Sequence, residues 1–268
     1  MSATTTAPRS TATTTPAGRV GALGRAELTL LWRNRTALAT ALLFPLGMVV
    51  ALRPAFTQLT PKDTGLSTGA VTVTGGIGFV LVFVVYYNLV TAYVARREER
   101  VLKRLRTGEA TDLEILTGTA LPAVAVALAQ CVVLVASGAL LPDLSPPKRP
   151  DLLLAGVLLG CVLMAALAAV STVFTRSVEL AQLTTVPLIV VATAGSGLIL
   201  PLGVMPELLR DVCRLLPMTP VMDLVRAAWS GGSAAAPGAV LRSIGLALAW
   251  TLLTGWAARR WFRWEPRR

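Results

Sequence analysis

The chain has 268 residues, 54% of them hydrophobic and 15% charged, with a mean hydropathy of +0.67. A soluble domain of this size rarely joins so few charges to so much apolar surface, so most of the sequence belongs in lipid. The net charge of +11 would suggest nucleic acid in a soluble protein, but in a membrane protein it is read first against topology, and the absence of histidine removes the commonest metal ligand and proton carrier.

Residues 1–18 are rich in Thr, Ala, Pro and Ser and have no apolar core, which reads as a disordered cytoplasmic tail ahead of a single transmembrane domain over 19–268. The tail lacks the apolar stretch of a signal peptide. Residues 19–35 mix Val20, Leu23, Leu28, Leu30, Leu31 and Trp32 with Arg25, Glu27, Arg33 and Arg35. That mixture suits an interfacial helix at headgroup level, or an N-terminal extension of the first span. Six apolar runs follow at 36–56, 71–94, 119–141, 152–174, 180–202 and 238–258, each about 20 residues, the length a helix needs to cross about 30 Å of hydrocarbon. Strands are excluded because 152–174 is apolar on every side instead of alternating. Pro45 and Pro187 predict kinks in the first and fifth spans, and Gly156 with Gly160 predicts close approach of another helix to the fourth. Cys131, Cys161 and Cys213 have no metal or redox spacing and read as packing residues. No metal site is expected.

Orientation follows from the basic residues. With both termini cytoplasmic, 17 of the 25 Lys and Arg fall inside and eight outside, which favours the ends-in arrangement at a plasma membrane. Contact with anionic lipid accounts for much of the charge, so no nucleic-acid partner is expected. Nearly all the basic residues are Arg, consistent with a bacterial, GC-rich genome.

Two connections are too regular to be plain loops. On the cytoplasmic side Val101, Leu102 and Leu105 form an apolar stripe at helical spacing, with Arg97, Arg100 and Arg104 opposite. Gly108 ends that helix, and Thr111 with Glu114 predicts a capping box for a second helix leading into the third span. A basic anchor on lipid competes with a coupling helix that docks a partner, and the mixture of acids, bases and leucines favours docking. Between the fifth and sixth spans Met205, Leu208, Leu209, Val212, Leu215 and Leu216 form a second stripe, with Glu207, Arg210, Asp211 and Arg214 on the wetter side. Pro217 and Pro220 interrupt it before Val221, Met222, Val225 and Trp229 resume it, predicting a helical hairpin in the outer leaflet.

In these stretches the chain resembles the permease subunits of ATP-binding-cassette exporters of the second type, the ABC-2 type transporters. The resemblance rests on Leu30-Leu31-Trp32-Arg33-Asn34-Arg35 before Pro45, on the cytoplasmic stretch, and on Pro206-Glu207-Leu208-Leu209 through Pro220 to Arg226 and Gly231-Gly232. Arg97 and Glu98 match part of the family's charged cluster, Leu102 an apolar position, and Leu105 with Arg106 a leucine-arginine pair. Arg96 stands where the family favours an acid, and Arg100 where it favours glycine.

The resemblance implies an all-α exporter half that pairs with itself or a close relative and docks a separate ATPase subunit carrying ATP and Mg. This chain has no G-x-x-x-x-G-K-[ST] phosphate loop, so it is not expected to be an enzyme or to hold a cofactor. Arg97, Glu98, Leu102, Leu105, Arg106, Gly108 and Glu109 would then couple the permease to the ATPase. Tyr86, Tyr87, Asn88 and Thr91 of the second span, and Thr184, Thr185, Thr193 and Ser196 of the fifth, would border a route for a lipophilic, drug-like or lipid-like cargo. Export of this kind would serve drug or antibiotic resistance, secretion or glycan transport. For any single one of these residues helix packing is the favoured role, because Ser, Thr and Asn also bond to neighbouring helices. An ion-coupled transporter would need an acid or histidine deep in a span, and a membrane enzyme would need a polar cluster beyond Glu207, Asp211 and Asp223.

Overall fold

The computed structural model describes residues 15–33, 67–106, 111–138, 145–198, 202–262 and 264, with isolated positions between 35 and 54. The expected tail over 1–14 and the expected first span at 36–56, with its Pro45, lie outside the described residues apart from those isolated positions.

The described elements are helices: α1 (Pro16–Arg33), α2 (Thr68–Glu98), α3 (Val101–Arg106), α4 (Asp112–Gly138), α5 (Pro150–Ser171), α6 (Val178–Gly195), α7 (Glu207–Leu215), α8 (Met218–Ser230) and α9 (Pro237–Trp261). Among the described residues five of them, α2, α4, α5, α6 and α9, are long and apolar enough to cross a membrane. In lipid each backbone N–H and C=O must find its partner inside the protein, which a helix provides without help from neighbours.

Helix α2 is the axis of the bundle and its most enclosed member. Ser67 caps it, its side chain accepting from the Ala70 N–H, and Ile77, Leu81, Val85 and Leu89 line its buried length. Residues Val80–Tyr87 take the wider π form, with one amide reaching five residues back, a feature that nothing in the apolar run Val-Leu-Val-Phe-Val-Val-Tyr-Tyr signals. Helix α5 passes close to α2 and α8 at its glycines, as the sequence predicts. A Cβ at Gly160 would sit 2.7 Å from Leu81 and 2.9 Å from Val221, and one at Gly156 would sit 2.9 Å from Val225. Leu154, Val162, Val132, Leu183, Leu241 and Leu252 point out of the bundle, where only lipid or another chain would cover them.

Several boundaries differ from the sequence reading by three residues or more, and three of them have a visible local cause. Helix α1 begins at Pro16, with the Thr15 side chain accepting from the Gly18 N–H, so the last residues of the expected tail form its first turn. Helix α4 begins at Asp112, not 119, because the capping-box helix and the third span are one continuous element. Helix α6 stops at Gly195, short of the expected 202. The chain turns there through Gly197 at φ 72°, and the Leu198 N–H returns to the Thr193 carbonyl, a helix-ending motif that an apolar window does not register. Pro187 lies within α6 as expected.

Hydrogen bonds define two ends of the bundle. At one, the Tyr93 hydroxyl donates to the Leu116 carbonyl, Arg19 pairs with Glu114 at 2.9 Å, and the Tyr93 ring meets Phe262 edge-on. The first and last described helices therefore have their chain ends together. At the other, the Trp229 indole donates to the Ser145 carbonyl and the Arg149 N–H to that of Ala228, which holds the α7–α8 hairpin over the start of α5.

Candidate functional site

The end holding Tyr93 and Phe262 also carries the short helix α3. Helix α2 closes at Glu98, and Arg100 turns the chain with a positive φ of 58°, a backbone conformation that disfavours any residue with a Cβ. The stripe read from the sequence divides here. Leu102 is 0% exposed and belongs to the protein's own core, whereas Leu105 is only partly covered and Glu98 is exposed. For Arg106 only the backbone is described, and Gly108 and Glu109 lie outside the described residues.

The capping box forms as the sequence predicts. The Thr111 N–H donates to a Glu114 carboxylate oxygen at 2.8 Å, and the Glu114 N–H to the Thr111 hydroxyl at 3.4 Å. Arg19 then grips the same carboxylate through two nitrogens, at 2.9 and 3.0 Å, tying α1 to the first turn of α4. Leu23 packs onto Gly118 and Leu121 onto Gly24, so α1 runs alongside α4 over its first turns.

Arg97 is 0% exposed and faces inward. Its guanidinium donates to the carbonyls of Thr172 at 2.9 Å, Thr175 at 2.5 Å and Arg176 at 3.3 Å, all in the turn between α5 and α6. That turn links onward, since the Thr175 and Thr184 hydroxyls lie 2.8 Å apart and the Ser171 hydroxyl is 3.0 Å from that of Tyr86. The role of 172–176 was not foreseen. Its only sequence signal is a Ser-Thr-Val-Phe-Thr-Arg-Ser run where two spans meet.

The expected route residues fall into two groups. Tyr86, Thr185, Thr193 and Ser196 are buried, and the last three hydroxyls donate to carbonyls of their own helix, Ala181, Ile189 and Ala192. Thr184 is partly covered and spends its hydroxyl on Thr175 and the Leu180 carbonyl. Asn88 is exposed, and Tyr87 and Thr91, one helical turn apart, are partly exposed beside it. Of the eight, Tyr87, Asn88 and Thr91 therefore form the patch of α2 open to a ligand or a second chain.

At the opposite end Arg226 of α8 donates to the Ser196 carbonyl that closes α6 and lies 3.3 Å from Asp223. Burial lowers the Arg226 pKa from its ordinary value while Asp223 opposes that shift, and a guanidinium there remains a cation capping the negative end of the helix. In α7 the apolar face is turned outward, with Leu208 81% and Leu215 58% exposed. Among the described residues no group of three or more His, Cys, Asp or Glu could hold a metal, and the cysteines described are free and buried.

A family profile described as ABC-2 type transporter matches residues 19–229, from the first turn of α1 to the last turn of α8. No curated protein matches the chain.

Proposed function

Because the chain belongs to the ABC-2 type transporter family and is a multi-pass membrane protein, we propose that it is the membrane half of an ATP-driven exporter carrying a lipophilic or amphiphilic cargo out of the cytoplasm. Members of this family normally work with a separate ATP-binding subunit, and this chain has no phosphate loop of its own. The observation that carries the reading is the family match across a bundle whose α2 and α4 are joined through the short helix α3. The end holding α3 faces the cytoplasm, and the ATPase docks there against Leu105, Glu98 and Arg106, with Gly108 and Glu109 on the following stretch. A second copy of the chain, or a close relative, completes the route, and Tyr87, Asn88 and Thr91 face it.

The test is co-expression with an ATPase subunit, recovery of the pair, and ATP turnover with rhodamine as an amphiphilic probe. Stable recovery and rhodamine-stimulated turnover are expected, whereas failure to recover the pair would overturn the reading. Leu105→Asp should lower ATPase recovery while the permease stays inserted, because a partner groove burying an apolar side chain contributes about 1.5–3 kcal/mol. Leu102→Asp should instead lower the yield of folded permease, since it buries a charge inside the chain.

A further inference from the structure

We infer that Arg97 is a positioning residue that locks the α3 end of α2 to the α5–α6 turn, so that displacement of α3 moves α6 instead of dissipating in the turn. This rests on the exporter reading for its purpose, though the lock itself is a matter of the permease alone.

A guanidinium withdrawn from water is costly unless its donors are met, and here Arg97 meets three backbone carbonyls just beyond the C-terminal end of α5. The planar fork gives the bonds direction, which a leucine in the same space would lack. Arg97 lies in the last turn of α2, four residues before α3 begins, so the two cannot move far independently. On the other side of the turn the chain re-enters a helix at once. Ser177 caps α6 by accepting from the Leu180 N–H, and Thr175 reaches Thr184 one turn further in. A contiguous hydrogen-bonded path thus runs from the α3 end of α2 through the turn to α6. The family resemblance places Arg97 at the ATPase contact; with no exposed surface, it acts through its neighbours.

Three variants test this in the full-length permease. In Arg97→Gln, hydrogen exchange over 172–178 should rise in the isolated permease, with no ATPase present. In the complex the same variant should keep ATPase recovery and basal turnover while rhodamine stimulation falls about tenfold, within the usual span of coupling energies. Arg97→Lys should restore only part of the stimulation, because one ammonium cannot fork across three carbonyls. Thr175→Val cuts the link to Thr184 without emptying the Arg97 site, and should lower stimulation in the same direction. Unchanged exchange at 172–178 in an inserted Arg97→Gln protein would overturn the lock, as would full stimulation in that variant. If Arg97→Gln fails to insert, full stimulation in both Arg97→Lys and Thr175→Val overturns it equally. A wild-type complex without stimulation would sink the exporter reading alone, and the exchange measurement would still judge the lock.

Discussion

Arg100 holds a positive φ of 58° at the step from α2 to α3, where the resemblance noted in the sequence favours glycine. A left-handed residue with a Cβ costs about 1–2 kcal/mol, and glycine's extra freedom in the unfolded chain offsets part of the gain from replacing it. Arg100→Gly should therefore stabilise the folded permease by about 0.5–1 kcal/mol, read as a higher melting temperature in detergent. An unchanged or lower melting temperature would mean that the arginine side chain contributes more than its backbone costs. At this scale the sequence marks chemistry without direction. It identifies Thr185 and Thr193 as hydroxyls in an apolar span, yet not that both turn back to carbonyls one helical turn away, because that rotamer choice is set by the surrounding packing. The two leucines of the α3 stripe show the same gap. Helical periodicity places both on one face, and only the chain's path through Arg100 puts Leu102 inside while leaving Leu105 partly open.

Elements were more legible than side chains wherever a local signal was complete. The Thr111–Glu114 capping box formed because both of its bonds are made within four residues, and the α7–α8 hairpin formed around Pro217 as its spacing predicts. Pro220 does not break the chain as expected; it sits in the first turn of α8, where its missing N–H costs nothing. Helix α6 ended early because its stop depends on the turn at Gly197 and on Arg226, 30 residues away, closing the Ser196 carbonyl. The close packing of α5 was readable from Gly156 and Gly160 alone, and it makes a firm prediction. Gly156→Val would drive methyl groups into Val225 and toward the Val221 carbonyl at 3.3 Å, an overpacking worth about 1–3 kcal/mol. The variant should show a lower melting temperature and a lower folded yield; wild-type values for both would mean that α5 and α8 separate freely.

For the whole molecule, the start of α1 and the end of α9 lie together near Glu114, Tyr93 and Phe262, and the side of the membrane they face is set by charge and not by packing. Tags at Ser10 and at the C-terminus should both be cytoplasmic, and Lys148→Cys, an exposed position at the far end, should react with an impermeant thiol reagent added outside. The native cysteines described are buried and should contribute little background. Labelling of Lys148→Cys only after the membrane is opened would reverse the orientation. The π stretch of α2 has a different consequence, best put in terms of insertion and deletion. Such a stretch accommodates one residue more than an α-helix would need over the same path, while the faces on either side keep their alignment. Removing Val82 should let the segment close into an ordinary helix with Arg97 still aimed at its carbonyls, so the shortened protein should fold. Removing Ala92, beyond the stretch, would rotate everything after it by about 100° and swing Arg97 away, so that chain should be lost. Along α2 the tolerance to losing one residue would then be a map of where the helix keeps its slack.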